Sequence, residues 1–189
     1  NDVLNDVSHP LHARLRAWGE LAERLRLHRR RRGAIILDRL SDEHPPALAY
    51  ERWFHHAHAR CADHIVKEFI LLASRTLATW CLSRRIPVLF RNHHAPIDAD
   101  ERDRLLSEID RAYQGELGLE EFTALQSRVA TFFSGVYYSP FPDGHHALNT
   151  LHLHWSSPLR RYPDLVVHQQ IVRALEGGEE FRTERELMR

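Results

Sequence analysis

The densest polar chemistry in the sequence is the run His154-Trp155-Ser156-Ser157-Pro158-Leu159-Arg160-Arg161-Tyr162-Pro163-Asp164-Leu165, with His168 one helical turn further on. Ser157 before Pro158 has the form of a helix N-cap followed by a first helical residue. A helix N-terminus presents free backbone N–H groups and a partial positive charge, and both attract phosphate. Arg160 and Arg161 fall in the first turn of such a helix, so two guanidiniums and several N–H donors could converge on one anion. Trp155 and Tyr162 offer flat faces on which unpaired bases can stack. Pro163 does not fit inside a regular helix, so either the turn kinks or the helix proper begins at Pro163. From spacing alone a plainer reading stands beside this one: an ordinary capped helix whose arginines are surface cations, paired with Asp164 and a nearby acid.

The elements that must position this run are mostly helical. Leu11, Leu15, Trp18, Leu21, Ala22 and Leu25 recur at three- and four-residue spacing, which predicts an amphipathic helix. It closes on His28 and Arg29 to Arg32, with Gly33 as the stop. Ala34 to Leu37 and Ala47 to Trp53 read as short strands, with a loop over Asp42 to Pro46. A longer helix is predicted from about His58 to Ser83. Its apolar face is traced by Val66, Phe69, Ala73, Leu77 and Trp80, with Ile65, Leu72 and Thr76 beside it, and Pro87 cannot continue it. Ile86 to Arg91 reads as a strand with Val88 and Phe90 on one side. Asp98 followed by Glu101 resembles a capping box opening a polar helix to about Tyr113. Leu119, Phe122, Leu125, Val129 and Phe132 mark another helix, Val136 to Tyr138 a strand, and Pro142-Asp143-Gly144 a turn. A last helix places Leu165, His168, Val172 and Leu175 on one face and stops at Gly177-Gly178. The expected fold class is mixed α/β, helix-rich, with short strands between amphipathic helices.

Hydrophobic residues make up 43% and charged residues 28%, an ordinary globular composition that excludes a disordered chain. No apolar run approaches the roughly 18–20 residues of a membrane-spanning helix, and no signal-peptide order opens the chain, so no membrane partner is expected. Cys61 and Cys81 are too few for a disulfide scaffold and fit a reducing, cytoplasmic setting; both are expected to be small buried apolar side chains. The formal net charge is zero, which says nothing about a polyanionic partner. Lys67 is the only lysine, and the arginine bias suits phosphate as well as it suits a GC-rich coding sequence. His55, His56, His58, Cys61 and His64 crowd together and raise the question of zinc. A structural zinc site needs four ligands, and His58, Cys61 and His64 supply three on one helix, so they read as a solvated helix start. His145, His146, His152 and His154 form a weaker cluster. Asp98, Asp100 and Asp103 read as capping residues that complement a helix dipole.

The run from His154 to His168 closely resembles the signature of the RNB family, the ribonuclease II-type exoribonucleases, which reads His-Phe-Thr-Ser-Pro-Ile-Arg-Arg-Tyr-x-Asp-Leu-x-x-His. Trp155, Ser156 and Leu159 are conservative departures, and Gln169 stands where the family usually has arginine. A second block agrees: His64 to Ser74 resembles the family's Ile-Glu-Glu-Phe-Met-Leu-Leu-Ala-Asn helix. Ile86 to His93 follows, similar to its Ile-Pro-Ala-Leu-Tyr-Arg-Val-His strand. Leu21 to Ile35 is a weaker match to Leu-x-x-x-Arg-x-x-Arg-Gly-Ala. The resemblance covers most of residues 1–176, which are expected to form the C-terminal part of the catalytic domain, with 177–189 a polar continuation.

The resemblance implies a hydrolytic, Mg²⁺-dependent enzyme that degrades single-stranded RNA from its 3′ end to 5′-nucleotides. Arg160 matches the family's catalytic arginine, which neutralises charge on the scissile phosphate. Arg161 and Tyr162 match flanking positions for phosphate contact and packing. His154, Ser157 and His168 belong to the same RNA-binding signature, and Glu68 matches a glutamate placed near the terminal nucleotides. Lys67 and Ser74 replace a glutamate and an asparagine. The family's metal-holding motif, of the Asn-Pro-x…Asp-x-Asp-Asp kind, does not occur in these 189 residues. The Mg²⁺ ligands are therefore expected in an upstream half of the same protein, and this chain is expected to be inactive alone. The competing class is a catalytically silent RNB-like module that binds RNA or a protein, which degraded aspartates upstream would favour.

Overall fold

The computed structural model describes residues 3, 6–37, 61–94, 99–132, 135–178 and 182–188. The expected strand over 47–53, the loop over 42–46, and His55, His56, His58 and Asp98 lie outside the described residues. Within them the order is α1 His12–Arg31, α2 Cys61–Ser83, β1 Phe90–His93, α3 Ala99–Tyr113, α4 Leu119–Phe132, β2 Val136–Ser139, α5 Tyr162–Leu175 and α6 Glu184–Leu187. The fold is thus mixed and helix-rich, with one small antiparallel sheet. The chain falls into two units, Asn1–Phe69 with Pro96–Ser134, and Ile70–Ala95 with Gly135–Arg189.

The first unit holds α1, the start of α2, α3 and α4. α1 ends where Gly33 takes a positive φ of 81°, and the Gly33 and Ala34 amides fold back onto the Arg30 and Arg29 carbonyls. The core gathers Ile35, Leu105, Ile109, Ala112, Leu117, Leu125 and Val129. The expected strand over 34–37 does not form in the described structure. Ala34, Ile35 and Ile36 are buried, but their segment's carbonyls are taken by side chains: Arg102 donates to Gly33 O (2.6 Å) and the Tyr113 hydroxyl to Ile36 O (3.3 Å). A buried backbone satisfied in this way needs no ladder partner.

Glu68 is buried within this unit. Arg29 Nε donates to its Oε2 (2.9 Å) and Arg29 Nη2 to its Oε1 (2.5 Å), a bidentate pair that makes burial of the charge tolerable. Glu68 thus lies on the buried side of α2. The buried face carries Ile65, Glu68, Ser74, Ala78 and Cys81, whereas Val66 is 57% exposed and Leu72 also faces out. The expected face is therefore corrected in part: Leu77 and Trp80 pack against the core as expected, while Val66 and Leu72 turn out and the polar Glu68 and Ser74 turn in.

The second unit is built on β1. Its register with β2 pairs Phe90 with Ser139, Arg91 with Tyr138, Asn92 with Tyr137 and His93 with Val136. The other edge of β1 is covered by the 144–153 segment: Arg91 N donates to His152 O (2.8 Å) and His93 N to Gly144 O (3.0 Å). Buried Asn92 ties the 141–144 bend, donating to Phe141 O and accepting from Gly144 N, where Gly144 needs its φ of 91°. Ala78, Cys81, Val88, Phe90, Leu153 and Val167 form the core, and burial pushes the Cys81 thiol up to about 11. α5 also presents a different face from the expected one. Asp164, Val166, Val167 and Gln170 are buried while Leu165, Val172 and Leu175 are exposed. Gln170 acts as a polar staple, donating to Pro87 O and Arg182 O (both 2.6 Å) and accepting from Arg182 N (3.1 Å).

Three histidines line the interior of this unit in edge-on contact: His145 with His152 (centroids 5.7 Å apart) and His152 with His154 (5.4 Å), while His93 stacks on His145 (5.1 Å). Burial, then neighbouring cations and each other's rings, pushes His145 and His152 down to about 3 and His154 to about 4.

Two measurements follow from this packing. Leu105→Ala empties a fully buried site and lowers unfolding stability by about 2–5 kcal/mol, while Val66→Ala stays within about 0.5 kcal/mol; equal costs in urea titrations contradict the observed α2 orientation. The histidines titrate near 6.5 in the unfolded chain but only near 3–4 in the fold, so the unfolded state binds more protons below about pH 6.5. Stability therefore falls as pH drops from about 6.5 towards 4, and the three rings keep neutral NMR shifts down to about pH 5. Ring protonation above pH 6 refutes the assignment.

Candidate phosphate-binding site

The 155–168 run folds around one carboxylate. Asp164 is fully buried at 0% exposure, and its Oδ1 accepts from Ser157 N (2.8 Å) and Arg161 Nη2 (2.7 Å). Ser157 O in turn accepts from Arg160 N (3.2 Å) and Arg161 N (3.1 Å), closing a tight turn over 158–160. His168 on α5 donates from Nε2 to Trp155 O (2.6 Å), holding the entry to the same loop. The regular helix starts only at Tyr162, with Arg161 as N-cap and Pro163 in its first turn, where a missing N–H costs nothing. The expected N-cap at Ser157 is thus replaced by a carboxylate reaching back to the Ser157 amide, and Pro163 is accommodated by a late start.

This geometry separates the two arginines. Arg161 is half-buried and committed to Asp164 as an ion pair, the plainer reading of the sequence for that residue. Arg160 is exposed, and among the described residues its guanidinium makes no hydrogen bond or ion pair. Beside it Leu159 stands entirely in solvent at 103% exposure, so the turn projects outward with its cation available. Tyr162 is also exposed, with Arg182 about one ring-width away (5.9 Å to the centroid).

Trp155 does not offer a free stacking face. It packs against the core of its unit, and its Nε1–H donates to the hydroxyl of buried Ser74 (3.1 Å). A buried indole N–H needs an acceptor, so the tryptophan and the serine, both departures from the family pattern, form a matched pair. His154 is half-buried, its Nδ1 2.6 Å from the Tyr138 hydroxyl. Glu68 belongs to the other unit, where it is occupied by Arg29. His154, Ser157, Arg160, Arg161, Tyr162 and His168 are thus brought into one unit, and Glu68 is not among them.

Sequence reasoning missed Arg91 and Tyr138 as site residues. Arg91 Nη1 lies 3.2 Å from His145 Nε2, and Tyr138 is its cross-strand partner. Arg91 was visible only as part of a strand block, and nothing but the register joins it to Tyr138. For metals, the donor set decides: among the described residues no group of three or more His, Cys, Asp or Glu side chains could hold an ion. The resident Mg²⁺ implied by the resemblance finds no fit on these residues. No helix among the described residues is long and apolar enough to cross a membrane.

Ribonuclease R of Aquifex aeolicus is 30% identical over 165 residues, covering 77% of this chain and 22% of that protein. A protein of Arabidopsis thaliana named Inactive exonuclease DIS3L2 is 28% identical over 202 residues, covering 88% of this chain and 19% of its own length. The chain thus spans about a fifth of the curated relatives it matches. An active-site mutant of the Dss1 exoribonuclease of Candida glabrata superposes with a TM-score of 0.69 at 22% identity, over 96% of this chain and 25% of that one. RNase R of Mycoplasma genitalium in complex with ribose-methylated single-stranded RNA gives a TM-score of 0.59 at 18% identity, over 85% and 28%. At such identities the structures establish the fold. The family model described as RNB domain matches residues 1–177 of the 189, and the chain belongs to the RNB family.

Proposed function

We propose that the protein containing this chain is a hydrolytic, Mg²⁺-dependent 3′→5′ exoribonuclease that degrades single-stranded RNA to 5′-nucleotides in the cytoplasm. The observation that carries the reading is Arg160: an exposed guanidinium without a partner among the described residues, on a turn locked by the Asp164–Arg161 pair, within the RNB signature. In phosphodiester hydrolysis negative charge builds on the non-bridging oxygens as water attacks. A fixed cation there stabilises the transition state more than the ground state. The fork of a guanidinium matches two such oxygens, which an ammonium cannot do.

The division of labour between the arginines follows from their partners. Arg161 balances the buried Asp164 and thereby shapes the turn; Arg160 meets RNA. Tyr162, His154, Ser157 and His168 complete the RNA-facing and loop-holding set, and Glu68, matched by the resemblance to a glutamate near the terminal nucleotides, is paired with Arg29 in the first unit. Mg²⁺ is assigned to the family's aspartate motif in another part of the protein, with the upstream RNB half as partner. One relative's name as an inactive exonuclease favours a second reading, a catalytically silent RNA- or protein-binding module.

In the complete protein, Arg160→Ala and Arg160→Lys both lower kcat by at least about 10²-fold, comparable to losing one oxyanion donor, with a much smaller loss of RNA affinity. Single-turnover cleavage and filter binding on the same variants test this; Arg160→Ala cleaving near the wild-type rate removes the catalytic role. The 189-residue chain alone, given Mg²⁺ and a labelled single-stranded oligomer, releases no nucleotide, and metal-dependent release by it would show that the site is not divided. A complete protein that binds RNA but never cleaves it supports the silent module.

A further inference from the structure

Arg91 presents a charge that no carboxylate among the described residues balances. It sits in the middle of β1, half-buried, directly opposite Tyr138 on β2. Its Nη1 lies 3.2 Å from His145 Nε2, the Tyr138 hydroxyl is a second polar neighbour, and among the described residues no carboxylate pairs with it. Around it lie His145, His152 and His154 in edge-on contact, and Tyr138 with its hydroxyl on His154 Nδ1 (2.6 Å). All three rings are held neutral at ordinary pH, by burial first and cationic neighbours second. Arg91 itself is held below its ordinary value, chiefly by burial, and Arg161 opposes its charge further.

Among the described residues the charges acting on this cluster are two guanidiniums, Arg91 and Arg161, and one carboxylate, Asp164, already engaged by Arg161. A partly desolvated guanidinium left with a neutral imidazole and a phenol is costly unless an anion arrives. Tyr138 is 41% exposed, so its ring reaches solvent beside the cation. His152 Nδ1, buried and without a hydrogen-bond partner, adds polar capacity in the same cluster. A cation next to an open aromatic ring suits one unit of a single-stranded nucleic acid, phosphate on the guanidinium and base on the ring.

We propose that Arg91, with Tyr138 beside it, forms a second phosphate subsite that grips one internucleotide phosphodiester of single-stranded RNA apart from the one at Arg160. The subsite rests on the RNA reading above. Arg91 contributes binding and register, with the chemistry left to Arg160, so its loss raises the RNA concentration needed without a comparable loss in turnover at saturation.

The test uses the complete protein, a 5′-fluorescein single-stranded oligoribonucleotide and fluorescence anisotropy, with divalent cations chelated so that no strand is consumed. Arg91→Ala weakens binding about tenfold and makes the log–log salt dependence shallower by about 0.7, the loss of one single-strand phosphate contact. Arg91→Lys restores the salt slope while recovering only part of the affinity, which a merely structural role does not predict. A scan of single methylphosphonate substitutions along the RNA then identifies one position that weakens binding to the wild type but is silent in Arg91→Ala. A free-phosphate site would be indifferent to position along the strand. Unchanged affinity and slope in Arg91→Ala, or an equal methylphosphonate penalty at every position in both proteins, overturns the subsite while leaving Arg160's role intact. Failure of the wild type to bind RNA at all overturns the RNA reading and the subsite with it.

Discussion

A single carboxylate determines the shape of the RNB signature in this chain. Asp164 is fully buried, and one of its oxygens receives both the Ser157 amide and the Arg161 guanidinium. Removing a partner from such a pair strands a charge in the interior, typically at a cost of about 3–5 kcal/mol. The turn over 158–160 is therefore held from its start at Ser157 and from its exit at Arg161. What lies between, Leu159 and Arg160, has nowhere to fold back and points into solvent. The exposure of Arg160 is thus a consequence of the burial of Asp164. Two adjacent arginines in sequence become one internal counter-charge and one external cation.

Glu68 repeats the device in the first unit with the roles reversed. There the acid comes from the middle of α2 and the cation from the last turn of α1, joined by two hydrogen bonds. A buried, bidentate pair of this kind is weak evidence for stability, since the desolvation of both ions offsets their attraction. Its effect is geometric: it ties the start of α2 to the end of α1 within the first unit. Within the second unit, Ser74 on the same helix is buried, and its hydroxyl accepts from the Trp155 indole.

Element positions were legible in the sequence, and face orientations were not. The helices over 12–31, 99–113 and 119–132 fall where periodicity, Gly33 and the apolar spacing of α4 place them. In α2 and α5 polar Glu68, Ser74, Asp164 and Gln170 are among the buried residues, so a count of apolar residues misplaces Val66 and Leu72 in α2 and the whole face of α5. The 34–37 segment has strand composition, yet its backbone is satisfied by Arg102 and Tyr113, distant in sequence. Arg160 was readable because its signature is local. Arg91 was not, because its significance depends on a cross-strand partner 47 positions away and on histidines from a third segment.

Those histidines explain how Arg91 and Arg161 can act on one cluster of rings within the second unit. Protonated imidazoles beside Arg91 and Arg161 would add positive charge in a poorly solvated space, where like charges repel strongly. Burial keeps the rings neutral, so they act as polar spacers: His145 meets Arg91, His154 meets Tyr138, and His152 fills the gap between them. Neutral rings leave the positive charge concentrated on guanidiniums, which do not lose it at any physiological pH. The positive charge of this cluster therefore changes hardly at all with pH, and what balances it is Asp164 at Arg161 and neutral rings at Arg91.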